Sequence, residues 1–170
     1  MRELRAIHKL TYDSYKLSRF DPDMMVSNYD VDGMPSLSNI SNADRFFMTE
    51  KNLLTLHSAN LRAFQQLIFF VKIDENMSAA VPDFGPQFAV IEARLSRVGA
   101  GILAVMGHLD FMQDGVPENA PASMGPQSNS ALRNIRDLFV LQEMYSYLAI
   151  AEYDLNRRMA VHQTQAAADQ

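Results

Sequence analysis

The 170-residue chain contains no cysteine and no tryptophan. The first absence removes disulfide frameworks, thiolate nucleophiles and cysteine-based zinc sites together, and it fits a reducing compartment. A basic cluster is missing too: the net charge is −5 and Arg157-Arg158 is the only adjacent basic pair, so there is no electrostatic footprint for nucleic acid. The longest nearly uncharged run, Val98 to Gly107, is about half of what a bilayer crossing needs and is bounded by Arg97, His108 and Asp110. The N-terminal Met-Arg-Glu-Leu-Arg-Ala-Ile-His stretch lacks the basic head and apolar core of a signal peptide. The cytoplasm, or the inside of an assembled particle, is the expected location. No sustained alternation of β-branched residues competes for strand structure.

What is present is helical periodicity. Phe88, Leu95, Ile102 and Leu109 interleave with Ile91, Val98, Val105 and Met112, giving spacings of three and four that mark a helix over 86–113. Gly85-Pro86 opens it with proline in the first turn, and Asp114-Gly115 closes it. Ser41 and Asp44 form a capping pair for a second helix over 42–73, whose stripe runs through Phe47, Leu54, Leu61 and Ile68. That helix carries further apolar residues on both flanks, including Phe46, Leu53 and Leu67 on one side and Leu56 and Phe70 on the other. Such a width exceeds what one packing partner requires. These five are the expected interface residues.

An N-terminal helix over 2–20 with Leu4, Ile7, Leu10 and Leu17 on one face, and a last helix over 130–163 carrying Ile135, Leu138, Leu141, Tyr145, Leu148, Leu155 and Met159, complete the pattern. The expectation is an all-α fold in one domain, 1–170: an elongated bundle of three long helices plus a shorter N-terminal one. Irregular segments over 21–41, 74–85 and 114–129 connect the helices, and a tail follows over 164–170.

Chemistry is sparsely marked. A carboxylate-bridged metal site needs Glu-x-x-His pairs on inward faces, and no Glu in this chain is followed by His at that spacing. His57 and Glu152 both fall within apolar stripes, and together they are the candidates for a hidden acid–imidazole site; the alternative is a satisfied core histidine and a stripe-edge carboxylate. Asn28, Asp30, Asp32 and Gly33 begin like a calcium loop, but Asn39 stands where the bidentate Glu belongs and Pro35 intrudes, so a turn is the simpler account. Gly99, Gly101, Ala104 and Gly107 form a small-residue patch inside a helix, which suggests a close helix crossing or a kink. No cofactor is expected.

Three functions compete. A structural or interaction subunit of a homo- or hetero-oligomeric assembly, a virus or phage particle being one example, accounts for the wide apolar face and the 11 methionines. A ligand- or metal-binding bundle enzyme would use a pocket near His57 and Glu152. A chaperone or regulator would hold a partner helix in a groove.

Overall fold

The computed structural model of the chain describes residues 1–27, 29–35, 40–78, 80–111, 124 and 129–168. It is all-α. The helices are α1 (Arg2–Arg19), α2 (Asn42–Phe47), α3 (Glu50–Ser78), α4 (Gly85–His108) and α5 (Ser130–Ala168).

The expected helix over 42–73 is in fact two. Ser41 and Asp44 form the full reciprocal capping box that starts α2. Met48, with ψ of 144°, then takes the backbone out of helical geometry. The Thr49 hydroxyl accepts the amide of Asn52 at 3.2 Å and caps α3 in turn. The break lets α2 lie against α5, where Arg157 and Arg158 donate to the carbonyls of Arg45 and Met48 left open at the α2 end.

Side-chain pairs fix the helix directions. α1 runs antiparallel to α5, with Arg5 on Glu152 and Tyr12 stacked on Tyr145. It is antiparallel to α4 as well, since Glu3 meets Arg94 while Tyr15 packs edge-on against Phe84. α3 is antiparallel to α5, pairing His57 with Asp154 at one end and Asp74 with Arg136 at the other. Against α4 it forms a hairpin tied by Lys72 and Glu92. The order is therefore up, up, down, down, with long connections after α1 and after α4.

The core lies between these four helices and includes Leu4, Tyr15, Phe64, Ile68, Phe88 and Leu141. In α1 the buried face is Leu4, His8, Thr11 and Tyr15, a regular four-three-four spacing. Leu10 and Leu17 point to solvent instead, because the stripe that reaches the core includes the polar His8 and Thr11.

α3 packs on α4 and α5 at once, and this absorbs the width of its apolar face. Leu53 and Leu67 are fully buried inside the chain's own core, which overturns their expected interface role. Leu56 and Phe70 are half-buried, Phe70 packing against the core; only Phe46 of the five is exposed. The expected close crossing at Gly99, Gly101, Ala104 and Gly107 is also overturned. Gly101, Ala104 and Gly107 are exposed, and a Cβ added at any of the three glycines would meet nothing within 4 Å. The α3–α4 contact uses Phe88, Ile91 and Leu95; Gly99, one turn on from Leu95, is half-buried on the same side and lines a cavity against α3, while Gly101, Ala104 and Gly107 face away.

Candidate functional site

Three features of the fold could carry function: a buried polar cluster around His57, an aromatic face beside α2, and an open apolar slot between α4 and α5.

His57 is fully buried where α3 meets α5. Its Nδ1 lies 3.2 Å from the Tyr147 hydroxyl, which is also 3.2 Å from the His57 carbonyl and can donate to it. The Nε2 lies 3.3 Å from Asp154 Oδ2, within ion-pair range but without hydrogen-bond geometry. The same Asp154 oxygen accepts Arg45 Nε at 2.9 Å. Burial pushes the Asp154 carboxyl up, but the His57 ring and the Arg45 guanidinium outweigh it and hold the group below its usual value. Burial and the nearby Asp154 carboxylate raise Tyr147 well above a free phenol.

The carboxylate that meets His57 is thus Asp154, and the expected pairing with Glu152 is not made. Two residues apart on a helix means nearly opposite faces. Glu152 faces α1 and holds Arg5 at 2.8 Å, with Arg2 at 3.7 Å. The side chains around His57 hold one another, so the cluster ties α2, α3 and α5 together. Arg45 and Asp154 carried a weak sequence signal at best, since the α2–α3 break that brings Arg45 in rests on Met48 and Thr49.

A second buried polar cluster closes the opposite end of the bundle. Arg19 pairs with Glu75 at 2.7 Å and donates to the carbonyls of Val81 and Pro82, and Glu75 also accepts the Phe84 amide at 3.0 Å. Nearby, Arg136 bridges Asp74 and Asp137. Burial, with the neighbouring Asp74 charge, raises Asp137 well above the ordinary carboxylate range. His8 stands apart from both clusters: it is fully buried, neither ring nitrogen has a hydrogen-bond partner, and desolvation lowers its pKa to about 4.

Of the calcium candidates, those described stand in solvent. Asn28 lies outside the described residues, Asp30 and Asp32 are exposed, and Gly33 has the positive φ of 74° that a turn selects. Among the described residues no group of three metal-ligating side chains is gathered. No helix among them is long and apolar enough to cross a membrane.

The aromatic face is a shallow groove of about 610 Å³ between α2 and α5. Phe47 is 81% exposed, Phe46 and Tyr153 are over half exposed, and the Arg157 guanidinium sits 4.4 Å above the Phe46 ring. Across α5, a slot of about 670 Å³ is lined by Val98, Ile102, Val105 and Leu109 of α4 and by Leu155 and Met159 of α5, over Leu54 of α3. Its cause is a mismatch of helix lengths. α1 fills the groove between α4 and α5, but its first turn reaches only to Arg94 and Glu152. Past Met1, α4 and α5 continue without α1 between them; Ile102 and Met106 stay buried there, while Val105, Leu109 and Met159 stand exposed.

No family model, curated protein or solved structure matches this chain. The reading of function therefore rests on the geometry above.

Proposed function

We propose that the protein is a structural or interaction subunit of a larger assembly and that its buried polar side chains serve the fold rather than a reaction. The observation that carries this reading is the concentration of exposed apolar side chains on both flanks of α5 at one end of the bundle. Phe46, Phe47 and Tyr153 lie on one side, and Val105, Leu109 and Met159 on the other. Contiguous apolar patches of this kind on a folded chain mark association surfaces. Aromatic residues beside an arginine are the side chains that dominate interface energetics. The internal engagement of His57, Tyr147, Asp154 and Arg45 also supports it.

The test is the molar mass of the full chain by light scattering and sedimentation from low to high micromolar concentration. A defined oligomer, or a mass that rises with concentration to a plateau, is expected. A monomer across the whole range that turns over a substrate or holds a small ligand tightly would sink the proposal.

A further inference from the structure

We infer that the slot between α4 and α5 is a binding site for a small anionic amphiphile, a free molecule with one alkyl chain and a carboxylate head. This goes beyond the assembly reading, for which the aromatic face of α2 stands available on the other flank of α5. The slot's volume of about 670 Å³ is that of a small-molecule site, and such sites are mostly apolar with a few placed polar groups. Val98, Ile102, Val105 and Leu109 form one wall, in the helical spacing of four, three and four; Leu155 and Met159 form the other. The slot is bounded along its length. Met1 and Arg2 line one end, where Arg2 lies 3.7 Å from Glu152. His162, ten residues further along α5 and so about 15 Å away, lines the other end with Glu50. An alkyl chain laid between these ends covers Val105, Leu109 and Met159, which the monomer leaves exposed.

Charge selects the head group. The ionisable side chains that line the slot are Arg2, Glu50, Arg158 and His162. Glu50 is the one carboxylate among them, and it is already engaged by His162 Nε2 at 2.8 Å. Arg158 has no carboxylate partner among the described residues. One of its terminal nitrogens donates to the Met48 carbonyl, a neutral group, so the guanidinium is held in place at the slot with its charge uncompensated. Arg158 is half-buried, whereas the Arg2 side chain is 92% exposed and stands beside Glu152. A carboxylate therefore gains most at Arg158, because a charge-assisted hydrogen bond is stronger where water is partly excluded. A cationic head there meets a like charge, and an uncharged head leaves the guanidinium uncompensated. The head belongs at Arg158, with the chain along the α4 wall.

The test is titration calorimetry of the full chain with dodecanoate below its micelle concentration, with light scattering on the same samples. Saturable binding of one dodecanoate per chain is expected. Dodecylammonium, with the same chain and the opposite head, should bind about tenfold more weakly or worse, and Arg158→Gln should weaken dodecanoate by about as much. Arg2→Gln should matter far less. Because Arg158 also holds the end of α2, Gly101→Leu is the second variant: its side chain enters the slot through open space and should abolish binding while circular dichroism retains the wild-type helicity. No saturable binding by the wild type, or binding that survives Gly101→Leu and is lost in Phe47→Ser, overturns the slot as the site. Equal affinity for dodecanoate and dodecylammonium overturns the anionic head. A wild type that binds no dodecanoate, with an oligomer whose mass falls in Gly101→Leu, overturns the ligand and keeps the assembly reading. A chain that stays monomeric and binds dodecanoate one to one does the reverse.

Discussion

His8 should make the fold acid-sensitive in a way that can be isolated from every other group. The ring is fully buried in α1, stacked with Tyr12 and Tyr145 at centroid distances of 6.5 and 6.4 Å, with no partner for either nitrogen. Desolvation lowers its pKa from 6.5 to about 4, against a small opposing pull from Asp13. The unfolded chain therefore binds a proton at pH values where the folded chain does not. By linkage, the stability this histidine permits is complete above pH 6.5, falls as pH drops through that value, and levels off below about 4. At 1.36 kcal/mol per decade the whole gap is worth about 3 kcal/mol, and about 2 kcal/mol of it is lost by pH 5. The comparison is urea unfolding followed by circular dichroism at pH 8 and pH 5, for the wild type and for His8→Phe, which preserves the aromatic stack. The wild type should lose about 2 kcal/mol more than the variant between the two pH values. At pH 8 the variant should be at least as stable, because the neutral imidazole leaves an N–H donor buried and unpaired. Identical pH dependence in the two proteins would refute the reasoning.

The ion pair at the α2–α5 contact predicts a different signature. Asp154→Asn strands the buried Arg45 guanidinium and should cost about 3–5 kcal/mol in denaturant unfolding, whereas the double change Arg45→Met with Asp154→Leu should cost clearly less; equal losses would mean that the charges are not coupled. At Gly99 an added Cβ meets open space, so Gly99→Ala should stabilise the fold by up to about 1 kcal/mol through helix propensity and raise the thermal midpoint accordingly. A lowered midpoint there would reveal a contact that the present packing lacks.

Much of the architecture could be read from residues alone because helix formation is a local matter of spacing and caps. The Ser41–Asp44 box, the Gly85-Pro86 start and the period of Phe88, Ile91 and Leu95 each act within a few residues of chain. The same local rules were blind at Met48, where an ordinary residue leaves the helical region and Thr49 restarts it. They also misjudged the face of α1, because hydrophobicity favours Leu10 and Leu17 over His8 and Thr11 when no partner is in view.

The site was less legible for a related reason. His57 stood out as a polar residue in an apolar stripe, and it is buried among polar partners. Which carboxylate would meet it depended on the rotation of α5, and that rotation selects Asp154 and turns Glu152 toward Arg5. The width of the α3 face was visible, but whether Leu53 and Leu67 cover a neighbour or a core depends on how many helices of the same chain reach them.

The sequence by itself determined that this protein is helical, where most of its helices begin, and that it has more apolar surface than one helix pairing can use. Only the tertiary structure decided where the surplus goes. Most of it is consumed by α3 packing on two helices at once. The remainder is left on α4 and α5 because α1 is 18 residues long, against 24 and 39 for the helices it lies between. A length mismatch of that kind is a relation between elements far apart in the chain, and no local pattern encodes it.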